Sequence, residues 1–137
     1  MEWTIANIEK EQAWTIRHKV MWPNKSIEYI KLEDDSSGIH LGLFKSGKLI
    51  SVVSLFVDGE QAQFRKFATT QEEQGKGYGS KLLRYALERA KEEGACKVWC
   101  NARTNKIHFY KKFGLCETGK EFIKGGQSYI IMEKYFA

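Results

Sequence analysis

Residues 74–79 read Gln-Gly-Lys-Gly-Tyr-Gly, with glycines at the alternate positions 75, 77 and 79. Without Cβ atoms, such a run leaves its backbone N–H groups uncovered and turns through positive φ at no steric cost. It directly precedes the strongest amphipathic pattern in the chain. Leu82, Leu83, Ala86, Leu87 and Ala90 share one stripe of a helix expected over residues 78–93 and stopped by Gly94. A glycine loop feeding a helix gathers free N–H groups at the positive end of the helix dipole, a ready site for an anion and most often for phosphate. Residues 61–68 before it read as a strand, so the chain must contain a strand–loop–helix unit built around that site.

Two common nucleotide patterns do not fit this loop. A P-loop requires a lysine and a hydroxyl residue directly after its last glycine, which this chain lacks. A dinucleotide fingerprint requires G-x-G-x-x-G in an early strand–helix unit, whereas the spacing here is Gly75-x-Gly77-x-Gly79 in mid-chain.

Around the loop, hydrophobic periodicity predicts strands at 3–6, 40–44, 49–57 and 61–68, with Asp58-Gly59 as a hairpin turn. A first helix is expected over 11–20, with Ala13, Ile16, Arg17 and Val20 on one face. Residues 21–38 are the least regular and hold the only proline, Pro23, and the acidic run Glu33-Asp34-Asp35. After the loop helix come a strand at 97–101, a short helix at 104–112 ended by Gly114, and a strand pair at 115–122 and 127–135 joined through Gly125-Gly126. This order describes an α/β (α+β) fold, a mixed and mostly antiparallel sheet of six to seven strands flanked by about four helices.

The 137 residues suit a single domain spanning 1–137, and 42% hydrophobic content is enough to build its core. The net charge of +5 invites a nucleic-acid reading, but the basic residues are interleaved with acids, as in Glu88-Arg89-Ala90-Lys91-Glu92-Glu93. A solvated helix face explains that pattern, and no nucleic-acid partner is expected. No apolar run approaches the roughly 18 residues of a membrane span and no export leader is visible, so no membrane partner and a cytoplasmic location are expected. Cys96, Cys100 and Cys116 lack metal or disulfide spacing, with Cys116 expected in the core. His18, His40 and His108 form no ligand motif, so no metal is expected. No G-x-S-x-G elbow is present for a serine hydrolase.

Gln74-x-x-Gly77-x-Gly79 resembles the Q/R-x-x-G-x-G/A signature of the GNAT superfamily of acyl-CoA-dependent N-acyltransferases. Phe109-Tyr110-Lys111-Lys112-Phe113-Gly114-Leu115 is similar to that superfamily's later helix motif, and Phe64-Arg65-Lys66-Phe67-Ala68-Thr69 to the strand before its pyrophosphate loop. The resemblance covers about residues 41–134. The Asn101-Ala102-Arg103 start of the second motif is similar to small bacterial members of the ElaA-like or YjcF-like kind.

The resemblance implies an acyltransferase that uses acetyl-CoA as cosubstrate. Gln74, Gly75, Lys76, Gly77, Tyr78, Gly79 and Ser80 would then clamp the pyrophosphate of coenzyme A, mainly through main-chain N–H groups. Phe67, Ala68 and Thr69 would pair with pantetheine as a strand does, at a point where the family's sheet splays, and a backbone N–H there would polarise the thioester carbonyl. Tyr110 matches the family's general-acid tyrosine, which protonates the departing thiolate. Asn101 is a further cofactor contact in the ElaA-like pattern, or a strand-ending residue. Arg103 stands where the family often carries asparagine, and Asn105 does not occupy that offset.

The acceptor would be a small-molecule or peptide amine. Glu28, Glu33, Asp34, Asp35, His40 and Glu121 are candidates to deprotonate it or surface groups, and none stands out. Trp22, Tyr29 and the acidic run could favour an amine, on which reading changing Asp34 and Asp35 together would alter acceptor KM alone. Arg17 meets an anionic substrate or makes a structural ion pair at the sheet edge. A homodimer is left open. The alternative to catalysis is a GNAT-fold protein that binds or senses acyl-CoA without turnover.

Overall fold

The computed structural model describes residues 2–136. Their strands are β1 (Trp3–Asn7), β2 (Ile39–Lys45), β3 (Lys48–Asp58), β4 (Gln61–Thr69), β5 (Lys97–Arg103), β6 (Cys116–Lys124) and β7 (Gln127–Tyr135). The α-helices are α1 (Lys10–Met21), α2 (Tyr78–Glu92) and α3 (Ile107–Lys111), with 3-10 turns at Ile27–Ile30, Asp35–Ser37, Gln71–Glu73 and Thr104–Lys106. The seven strands form one sheet in the order β1-β2-β3-β4-β5-β7-β6. Neighbours are antiparallel except β4 and β5, which run parallel because α2 carries the chain back between them.

Side chains of successive strand residues point to opposite faces, and the two faces of this sheet carry different loads. Val53 and Leu55 of β3 join Ala62 and Phe64 of β4 in a core with Leu82, Leu83, Ala86, Leu87 and Ala90 of α2. Full burial of Leu82 and Leu83 contributes about 2 kcal/mol each from removal of apolar area. The other face of β3 and β4 presents Val52 and Ala68 to Ile16 of α1, a smaller cluster. α1 starts where the Glu9 backbone N–H donates to Gln12 Oε1 at 2.9 Å, so that an N-terminal donor finds a side-chain acceptor.

The expected helix at 104–112 splits into a 3-10 turn and the five-residue α3. That leaves three α-helices among the described residues. Cys116 is exposed rather than in the core, because it opens β6, a largely exposed edge strand. Among the described residues no helix is long and apolar enough to cross a membrane.

Candidate active site

The parallel ladder between β4 and β5 is short. It pairs Gln61 with Lys97, Ala62 with Val98 and Gln63 with Trp99, and goes no further. Beyond that point β4 keeps its partner β3 and β5 keeps β7, so the two strands separate and leave an opening between Phe64–Thr69 on one side and Cys100–Arg103 on the other. Phe67, Ala68 and Thr69 lie on the β4 edge of this opening. Asn101, exposed, lies on its β5 edge.

A bulge accompanies the separation. Val52 faces Ala68 and Ser54 faces Arg65, so the single residue Val53 opposes two, Lys66 and Phe67, and β4 carries one extra. Lys66 takes up that extra position with φ of +55°, a left-handed conformation rare for a side chain of its size.

The glycine loop lies at the C-terminal end of β4. Gln74 Nε2 donates to the Thr69 carbonyl at 2.9 Å and ties the loop to the strand end. Gly75 and Gly77 have φ of +76° and +88°, and a Cβ on either would meet nothing within 4 Å, so space above both backbones is open. Gly77 is the N-cap of α2, no side chain caps that end, and no acid occupies its first turn. The positive end of a 15-residue helix dipole therefore carries neither a side-chain cap nor a neighbouring acid. Gly79 serves packing instead: a Cβ there would lie 3.1 Å from the Phe67 ring and 3.2 Å from Thr69 Oγ1. Lys76 is half exposed and pairs with Glu73 at 3.3 Å, and Glu73 also binds Lys45 at 2.9 Å. The hydrogen bond from Lys45 holds the Glu73 carboxyl below its usual range. Lys45 also sits over the Tyr78 ring.

Tyr110 packs from α3 against Phe64, ring centroids 5.8 Å apart, at the start of the opening. Phe109 contacts Tyr110 and Phe113 at 5.2 Å each and stacks on Phe67 at 6.2 Å, closing the α2–α3 side with aromatic rings. Burial pushes the Tyr110 phenol well above its ordinary value, Cys100 adds to the rise and Arg103 opposes it. The group therefore stays protonated across the neutral range, as a proton donor must. Cys100 is itself pushed up to about 12 by burial and remains a neutral thiol.

Within the acidic run Glu33 and Asp34 are exposed, whereas Asp35 is buried. Asp35 is 3% exposed and accepts from Arg17 at 2.8 and 2.9 Å, from Trp14 Nε1 at 2.8 Å and from the Leu32 N–H at 2.9 Å. Burial would raise its carboxyl pKa, but these hydrogen bonds and the Arg17 charge outweigh burial and hold it at about 2. Arg17, fully buried, also donates to the Ile30 carbonyl and to Ser54 Oγ, which meets His40 Nδ1 at 2.7 Å. Of the two expectations for Arg17, the ion pair is the one formed, beneath residues 22–38 rather than at a sheet edge. Asp35 is thus part of the scaffold, and a double change at Asp34 and Asp35 cannot report on acceptor binding alone. Asp34 is exposed and pairs loosely with Arg65 at 3.3 Å.

Sequence reading missed Lys66 and the role of Gln74 as a staple. One signal for the bulge was present: apolar Ala62, Phe64 and Phe67 break the two-residue period between 64 and 67. Surface hollows near Trp3 and Phe44, and near Cys96 and Tyr135, lie away from the opening. Among the described residues no three His, Cys, Asp or Glu gather as a metal-ligand group.

Residues 4–115 match the family described as the Acetyltransferase (GNAT) family. The uncharacterized N-acetyltransferase YitI of Bacillus subtilis (strain 168) is 34% identical over 140 residues, covering 95% of this chain and 94% of that protein. A solved candidate N-acetyltransferase from Lactobacillus plantarum has the same fold, with a TM-score of 0.89 at 19% identity over 100% of both chains. A GNAT family acetyltransferase from Elizabethkingia anophelis, solved with acetyl-CoA bound, gives 0.78 at 16% identity over 98% of each chain. The match over residues 4–115 and the 34% identical relative together show that this chain belongs to the GNAT family of acetyltransferases.

Proposed function

We propose that residues 1–137 form a single catalytic domain that transfers an acetyl group from acetyl-CoA directly to a primary amine, with Tyr110 as the general acid. The observation that carries this reading is the ending of the β4–β5 ladder at Gln63 and Trp99, with the glycine loop at one end of the opening and Tyr110 beside the other. The acetyl-CoA-bound relative from Elizabethkingia anophelis supports the choice of cosubstrate.

The residues fit the cosubstrate in charge and in shape. An uncapped, acid-free helix start below open glycines suits a pyrophosphate, so the N–H groups of residues 75–80 would hold it. The Phe67 ring is committed to Gly79 and Phe109, so β4 would contribute its backbone edge at Phe67, Ala68 and Thr69 to the pantetheine amides, and Asn101 would face it from β5. When bound, acetyl-CoA supplies the activated acetyl thioester. A β4 backbone N–H at the bulge would polarise its carbonyl, and as the N–C bond forms and the C–S bond breaks Tyr110 Oη would give its proton to the sulfur and regain one shed by the nitrogen. A lysine-like amine is neutral only about once in 10³ molecules at pH 7, so water in the opening must carry its proton away. Three free cysteines fit a cytoplasmic setting.

The test is thiol release from acetyl-CoA with an amine panel, comparing the wild type with Tyr110→Phe. Turnover that falls about a hundredfold or more in the variant, with acetyl-CoA binding retained, supports the reading. Tight CoA binding with no turnover of any amine would favour the non-catalytic acyl-CoA sensor.

A further inference from the structure

The acceptor side of the opening follows from what closes the other side. Phe67, Phe109, Tyr110 and Phe113 fill the α2–α3 face with rings in mutual contact. An acceptor therefore reaches the opening from the α1 face. The charges there are unexpected for a protein that binds an ordinary cationic amine.

Arg65 faces Ser54, and Ser54 bonds to Arg17 of α1, which puts Arg65 on the α1 face. Lys66 follows it in the bulge, partly buried, and the charges of Arg17, Arg65, Lys124 and Asp35 all reach it. Lys124 comes from across the opening. Arg103 of β5 faces Tyr129, so the β6–β7 hairpin tip projects at the same end of the sheet as the C-terminus of β4.

Three acids of residues 28–35 are engaged. Asp35 is consumed by Arg17 at 2.8 Å, Asp34 pairs with Arg65 at 3.3 Å, and Glu28 pairs with Lys31 at 2.7 Å. Among the described residues neither the Lys66 nor the Lys124 side chain has an ion-pair or hydrogen-bond partner. Lys66 is therefore an unpaired cation, partly removed from water, held in a strained backbone conformation beside the reaction site. Such strain persists where surrounding structure imposes it, and a desolvated cation without a counter-ion calls for an anion.

We propose that the acceptor amine carries a carboxylate, and that Lys66, assisted by Lys124 across the opening, holds that carboxylate on the α1 face. This inference rests on the transferase reading above and names its substrate class. The same cations act on the amine: positive charge near an ammonium favours its neutral, nucleophilic form. They also repel polyamines, which bring positive charge and no anion to offset it.

The test uses matched amines, each offered as the free carboxylate and as its carboxamide, together with polyamines. The wild type is expected to favour the carboxylate about tenfold or more in kcat/KM, as a charge-assisted hydrogen bond provides. Lys66→Gln should remove that preference through acceptor KM and leave the KM for acetyl-CoA unchanged, while Lys66→Arg keeps it. Carboxamides acetylated as well as carboxylates by the wild type, or an undiminished preference in Lys66→Gln, would overturn the proposal. If acetyl-CoA binds but no amine is acetylated, the transferase reading fails instead. The charge assignment is then read by calorimetry, titrating N-acetylated matched pairs into protein saturated with CoA. Tighter binding of the carboxylate supports it, and equal or absent binding overturns it.

Discussion

Replacing Asp35 with alanine is expected to be the most destabilising single change in residues 22–38, and the neighbouring Asp34→Ala nearly silent. Asp35 is 3% exposed and accepts from Arg17, Trp14 and the Leu32 backbone, so its loss leaves a fully buried guanidinium without its counter-ion. Removing one partner of such a pair costs about 3–5 kcal/mol. Arg17 retains the Ile30 carbonyl and Ser54 Oγ as acceptors, which favours the lower end of that range. For a chain of 137 residues the unfolding entropy is about 0.3 kcal/mol per kelvin, so Tm should fall by about 10–17 °C. The Asp34–Arg65 pair is solvent-exposed and worth less than about 1 kcal/mol, a shift of about 3 °C at most. Thermal unfolding followed by circular dichroism compares the two variants directly. The double variant Arg17→Met/Asp35→Leu should recover much of the loss, because it removes the stranded charge as well. A Tm for Asp35→Ala within about 3 °C of wild type, or no difference between the two alanine variants, would show that the buried pair does not hold this region.

The remaining expectations concern the same scaffold and the loop. The Asp35 carboxyl is depressed from 3.8 to about 2 in the folded protein, so its stabilisation is complete above about pH 4 and is lost as pH falls toward 2. Tm measured against pH should fall over that window in the wild type and fall less in Asp35→Asn. Gly77→Ala puts a side chain at φ of +88° with no contact to repel it, so it should lose about 1–2 kcal/mol of stability and about tenfold or more in CoA affinity by calorimetry. Gly79→Val instead drives its side chain into Phe67 and Thr69 and should lower Tm and CoA affinity together. Because the Tyr110 phenol lies above its ordinary value, kcat should show no basic-limb decline below about pH 10 from loss of this acid, checked by a pH–rate profile.

The loop helix and its stripe were readable because period and glycine spacing are local properties. Leu82, Leu83, Ala86, Leu87 and Ala90 are all buried as their spacing predicts. Strand boundaries came within a few residues for the same reason. What stayed hidden depends on partners distant in sequence. Arg17 and Asp35 are 18 residues apart, and nothing local distinguishes a buried acid from the exposed Asp34 beside it. Lys66 looked like one of 22 basic residues, because its place in the bulge comes from a register slip against β3. The short α3 was read as longer since the 3-10 turn Thr104–Lys106 runs directly into it. Tyr110 was legible through its family motif. Its contact with Phe64 needed the fold.

On the proposed function, the glycine loop and the β4–β5 opening form one continuous site that brings an acyl thioester to Tyr110. A crystal structure of the protein with acetyl-CoA tests it most directly. The expected result is the pyrophosphate on the N–H groups of residues 75–80, pantetheine along Phe67, Ala68 and Thr69, and the thioester sulfur within hydrogen-bond reach of Tyr110 Oη. A cofactor seated elsewhere, or a sulfur out of reach of that hydroxyl in the fully bound state, would contradict it.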